Sequence, residues 1–249
     1  MKHLGTIADP VFEKRPHYNS LDRFFLSLIR DERDLPFAYL TLRITLLMIP
    51  LGILLYLPFI TGWLWWGIAF LYFFLNNLYF KGPFGLMLHC TSHRPFFKKK
   101  YGWLNYYLPW FIAPFFGNTP ETYYIHHIAM HHVENNLEED ISSTMHYQRD
   151  SFADFLKYLG NFLFMAVFQL YDYHKAKKRY RFLPRLIIGE LSFYLMCGLM
   201  CFISVGATVV VFILPYIIFR VITMVGNWTQ HTFVDPEDPE NLYKSSINC

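Results

Sequence analysis

The chain is short of charge. Asp, Glu, Lys and Arg make up 16% of its 249 residues, whereas 54% are hydrophobic and 20% aromatic. A water-soluble domain carries more charge than this, so the apolar excess calls for a lipid solvent. Cysteine is scarce too. Cys90, Cys197, Cys201 and Cys249 form no paired framework, which excludes a disulfide-stapled secreted domain, and they are expected to stay reduced. Residues 1–34 are a polar leader without the apolar core of a cleavable signal. No low-complexity tract is present, and no repeat beyond a pair of helical hairpins. The net charge of +3 comes without the Gly-rich or aromatic pattern of an RNA-binding module, so nucleic acid is not an expected partner.

Long apolar runs are what the chain does have. Residues 35–60, 63–80, 186–205 and 207–226 each approach the roughly 20 residues that cross a hydrocarbon core. Short uncharged turns, at residues 60–62 and around Gly206, join them into two hairpins. Lys and Arg concentrate in the leader and between Lys81 and Arg185, which places both termini and the long middle segment in the cytosol. Arg43 and Arg220, inside the first and fourth runs, are expected to snorkel to the cytosolic interface. The fold class predicted is an all-α, multi-pass integral membrane protein: four transmembrane helices in two hairpins, plus cytosolic or interfacial helices. Residues 21–30 read as an amphipathic surface helix, the Pro-interrupted aromatic stretch 103–116 as interfacial or re-entrant, and 152–173 as a helix lying flat on the cytosolic leaflet.

Histidines cluster in the middle segment. His89 and His93 follow a Gly82-Pro83-Phe84-Gly85 break after the second run; His127, His131 and His132 lie on a short predicted helix, with His127 and His131 one turn apart. Asn227 and His231, again four residues apart, end the fourth run. Three sequence-distant groups thus reach one depth at the cytosolic edge of the bilayer. Six candidate imidazoles exceed the three or four protein ligands of one zinc ion, which indicates two metal ions, and an open nitrogen-rich site suits iron.

These motifs resemble the histidine boxes of the membrane fatty acid desaturase and hydroxylase superfamily, over most of the chain. His89 and His93 look like the HxxxH box, and His127, His131 and His132 like HxxxHH. Asn227 and His231 look like the Asn-x-x-x-His element, whose Asn lies nearby or acts through water. His126 stands where related alkane hydroxylases have a Glu. Asp140, ending the acidic run 134–140, is the best candidate to hydrogen-bond a ligand imidazole. The resemblance implies a single membrane domain over residues 1–249, two iron ions, O2, a fatty acyl lipid substrate, and an external electron donor such as a b-type cytochrome or ferredoxin. Lys98 to Lys100 and the basic residues from Lys175 to Arg185 are the expected docking surface for that donor. Its expected home is the endoplasmic reticulum in a eukaryote and the plasma membrane in a bacterium. Desaturation is the leading expectation and hydroxylation the alternative. The family's final HxxHH box is absent from these 249 residues, so the sequence reads as C-terminally truncated. The contrasting expectation is a non-catalytic membrane protein with an incomplete metal site.

Overall fold

The computed structural model describes residues 11–14 and 16–232; the end of the chain, with Cys249, and the first ten residues of the leader lie outside the described residues. Among the described residues the protein is helical, without a strand. Helix α1 (Ser20–Leu28) opens on a capping box in which Asn19 and Asp22 satisfy each other's backbone N–H. Helix α2 (Glu32–Leu54) follows, and stops short of residue 60 because Pro58 has no N–H to continue it and disfavours a helical Leu57. Helix α3 runs without interruption through Gly62–Phe74, Leu75–Phe80 and Lys81–His93. Helix α4 is the short run Thr122–His126, His127–His131 and His132–Glu134. Helix α5 is Phe152–Ala176, α6 is Phe182–Ile203 and α7 is Val205–His231. The last turn falls at Ser204 rather than Gly206: extended Ser204 ends α6 and its Oγ caps α7 by accepting from Ala207 N.

Helices α2, α6 and α7, at 23, 22 and 27 residues, are long and apolar enough to cross a membrane. The apolar half of α3 is not among them, because Trp63, Trp65, Trp66, Tyr72, Asn76, Asn77 and Tyr79 bring polar atoms into it.

Prolines inside these helices are absorbed in one recurring way. The π-helical turns Ile44–Met48, Leu75–Phe80, Leu108–Ile112 and Val209–Ile213 come just before Pro50, Pro83, Pro114 and Pro215. A proline lacks the N–H that would pair four residues back, and its ring crowds that carbonyl. In a π turn the donor comes from five residues on, as Ile49 N–H to Ile44 O, Ala113 N–H to Leu108 O and Leu214 N–H to Val209 O show. The expected break at residues 82–85 therefore does not occur. Instead α3 is one continuous rod from the apolar layer to His93.

The aromatic stretch 103–116 folds into the bundle. Ile112 and Phe116 are fully buried, Phe116 stacks on Phe84 of α3 at 4.2 Å between ring centroids, and Asn76 Nδ2 donates to Phe115 O at 2.8 Å. Two glycines allow this approach. Gly117, at φ +85°, lies so close to α7 that a Cβ would sit 2.2 Å from Tyr216 N; a Cβ on Gly189 of α6 would sit 1.9 Å from Pro120 O. Gly189→Ala is expected to destabilise the protein by about 1–3 kcal/mol, read as a lower thermal midpoint in detergent. Gly198→Ala, which meets open space, is expected to leave it unchanged.

Candidate metal centre

The box helix α4 is placed by contacts the sequence did not advertise. Glu121 precedes it at φ +68°, held there by Arg185 of α6 and by Trp110 Nε1 at 2.9 Å. Its middle, His127–His131, is another π turn, and this one has no proline after it: His132 N–H donates to His127 O, and Arg179 Nη1 donates to Ala129 O at 2.8 Å. The left-handed Asn135 and Asn136 then end the helix.

That wide turn changes which histidines meet. An α-helix would pair His127 with His131. The π turn instead brings His132 round to His127, with Nε2 atoms 3.1 Å apart and ring centroids at 4.4 Å. On the other side of this pair stand His89 and His93 of α3: His89 is 4.6 Å from His127 and His93 is 4.7 Å from His132, centroid to centroid. The ligand nitrogens of His89, His93 and His127 lie within 4.8 Å of one another. His131 is turned away, buried, and its ring lies 5.2 Å from that of His231 at the end of α7. The two groups adjoin, His131 lying 5.8 Å from His127 and 5.7 Å from His132.

His131 is fixed from behind. Its Nδ1 is 2.6 Å from Asp140 Oδ2, a carboxylate with no exposed side-chain surface. Asp140 also accepts from Asn136 N, Ser142 N and Ser142 Oγ. Burial pushes this carboxyl up, but the hydrogen bond and charge of His131 and the bond from Ser142 outweigh it and hold the group at about 2. An ionised Asp140 accepts the Nδ1 proton and leaves the Nε2 lone pair of His131 free. Asn227 has a related scaffolding contact: its Nδ2 donates to Ser142 O at 3.0 Å and Tyr158 Oη at 2.7 Å, while Thr144 Oγ1 donates to His231 O at 2.8 Å. The buried loop 136–144 thereby ties the end of α7 to the box helix.

The donor set suits a transition metal that takes neutral nitrogen ligands. Burial first, and then the neighbouring rings, push His126 and His132 down to about 4, and push His89 and His127 down as well, so all four are neutral at pH 7. Bonds of about 2.1 Å at tetrahedral angles set ligand nitrogens about 3.4 Å apart, and these nitrogens, all within 4.8 Å of one another, need only small side-chain adjustments to reach that spacing. His126 takes no part in the four-ring group. Its Nε2 is buried without a hydrogen-bond partner, and its ring lies 6.2 Å from that of His131 and 5.5 Å from Phe162.

A cavity of about 830 Å³ opens beside the histidines, lined by His89, His126, His127 and His131 at one end and by groups of α3, α5 and α7 beyond. The stretch 103–116 contributes to a separate, smaller cavity of about 390 Å³. Arg220 does not snorkel. It is buried, 3.7 Å from Glu190 Oε1 and stacked over Tyr216, and Glu190 also accepts from Thr119 and Thr122. Arg43, by contrast, is exposed. Several basic residues expected to dock an electron donor are already engaged: Lys177 with Glu134 and Glu139, Arg179 with Ala129, Arg185 with Glu121, and Lys98 with Leu26 and Ser27.

No curated protein and no solved structure matches the chain. The model of one family, fatty acid desaturase, matches residues 79–249, a span that takes in both histidine clusters, most of the cavity wall and the end of α7. With that match covering more than half of its length, the chain belongs to the fatty acid desaturase family, whose membrane oxidoreductases desaturate or hydroxylate.

Proposed function

We propose that this protein introduces a double bond into a fatty acyl chain held in the 830 Å³ cavity, using O2 and two iron ions bound by its histidines. The observation that carries this reading is that the ligand imidazoles form one end wall of a cavity that apolar side chains also line. His89, His127 and His131 face the same space as Leu86, Val167, Leu170 and Ile222. His89, His93, His127 and His132 would hold one ion and His131 with His231 would serve the other. Oxygen-dependent removal of hydrogen from an unactivated methylene is the chemistry an iron pair supplies when bound.

The chain's own residues do the rest. The apolar walls exclude water and fix which methylene lies against the imidazoles. Asp140 keeps the proton of His131 on Nδ1. His93 and His132 are exposed, so the four-imidazole group sits near the outer surface, where an electron donor has access. Lys99, Lys100, Lys175, Lys178 and Arg181 remain to dock an acidic donor. In this reading the apolar half of α3 is a fourth span, both termini face the cytosol, and the helices form two hairpins.

The test is product analysis. Purified protein with iron, a reductant and a saturated acyl substrate is expected to yield a mono-unsaturated chain, identified by mass spectrometry after double-bond derivatisation. An alcohol at the same carbon would replace the desaturase reading with the hydroxylase one.

A further inference from the structure

Apart from the histidines, the cavity contains a second polar site that the oxidation chemistry leaves unused. Lys81 of α3 is 4% exposed, and no carboxylate pairs with it among the described residues. Its Nζ makes two long hydrogen-bond contacts, 3.4 Å to Phe116 O and 3.5 Å to Pro215 O, and lies 5.7 Å from the centre of the Phe219 ring. Two residues beyond Phe116, Asn118 is 6% exposed and its Nδ2 is buried without a hydrogen-bond partner. Both side chains line the 830 Å³ cavity. Arg220 lines it too, but Glu190 already neutralises it.

Such a group is costly to keep. A buried amine whose partners are two distant carbonyls and no counter-charge, and a buried amide N–H without an acceptor, each carry a desolvation penalty that their surroundings offset only in part. The surplus is on the donor side: beyond its two long contacts Lys81 keeps one N–H, and Asn118 has two, at a cavity with much apolar wall. A ligand that satisfies them brings acceptor oxygens and negative charge on an apolar tail.

We infer that Lys81 and Asn118 bind the carboxylate of a free fatty acid, so that the substrate lies with its head inside the cavity. This rests on the acyl-oxidation reading and specifies its substrate. Position along the chain follows from α3: Lys81 and His89 are eight residues apart on one helix, about 12 Å along its axis. With the head at Lys81, methylenes well along the chain reach the imidazoles, and those next to the carboxylate do not. Gly117, a position so close to Tyr216 that no Cβ fits, lets the Phe116–Asn118 backbone lie against α7 and so places Asn118 and the Phe116 carbonyl that Lys81 contacts.

The experiment is a binding measurement that needs no turnover. A conjugated-polyene C18 fatty acid, its methyl ester and the hydrocarbon of equal length are titrated by fluorescence into the detergent-purified chain. The acid is expected to bind at least tenfold tighter than the hydrocarbon, with the uncharged ester between them. Lys81→Met is expected to erase the preference for the acid and leave the hydrocarbon unaffected; Lys81→Arg is expected to retain it. Equal affinity of wild type for acid and hydrocarbon overturns the proposal, whatever the variants do. So does a Lys81→Met effect that weakens both ligands alike. Selective binding of the acid without any oxidised product would refute the desaturase reading and leave this one standing.

Discussion

His127→Ala is expected to lower product formation by more than about 100-fold, beyond the 10- to 100-fold typical of losing a group behind a metal ligand. His127 has this weight because of position. Its ring lies 4.6 Å from His89, 5.5 Å from His93, 4.4 Å from His132 and 5.8 Å from His131, so it adjoins every member of the larger group and also His131 of the smaller one; His132 shares those neighbours but stands farther from His89, at 6.4 Å. Alanine removes a ligand from the His89, His93 and His127 triplet, and the remaining nitrogens no longer converge. Turnover by a mass-spectrometric product assay, with bound iron measured alongside, checks this. Product within a few-fold of wild type would place the reaction elsewhere.

Asp140→Asn is expected to weaken metal retention 10- to 100-fold, with an equal fall in activity. The carboxylate faces donors on both oxygens: His131 Nδ1 and Asn136 N on Oδ2, Ser142 N and Oγ on Oδ1. An amide cannot match four donors. With its NH2 towards His131, the imidazole must accept at Nδ1, and its proton moves to Nε2, where it blocks the lone pair a metal needs. With its NH2 towards Ser142, an N–H meets a backbone N–H in a buried loop, at a cost of about 1–3 kcal/mol. The two outcomes are distinguishable by iron: either orientation sets an N–H against a backbone N–H, of Asn136 or of Ser142, and lowers the thermal midpoint, but iron per chain falls only in the first case. Full metal retention at unchanged stability would show that Asp140 does not govern His131.

Much of the site was visible in the sequence because its signals are local. The apolar runs 186–205 and 207–226 correspond to α6 and α7, displaced by a few residues, and the histidine spacing identified the rings that the structure gathers. Asp140 was singled out from an acidic run, and it is the member that reaches a histidine. What escaped notice depends on non-local or non-ideal geometry. Pairing His127 with His131 assumed the 3.6-residue period, and one π turn reversed the pairing in favour of His132. Proline at residue 83 reads as a helix break unless the π turn before it is known. Arg220 was assigned to the interface because Glu190, its partner, lies on another helix thirty positions away in sequence. Glu121 carries no motif; only its left-handed backbone and its bond to Arg185 mark it.

The π turn at His127–His131 groups His132 with the first box and His131 with His231. Metal content settles it. His132→Ala and His131→Ala, purified beside wild type and His89→Ala, are assayed for iron per chain by mass spectrometry. His132→Ala and His89→Ala are expected to lose the same equivalent, their combination to cost no more, and His131→Ala to retain it. Loss of that equivalent in His131→Ala together with its retention in His132→Ala would contradict the account, because that pattern belongs to a regular helix presenting His127 and His131 side by side.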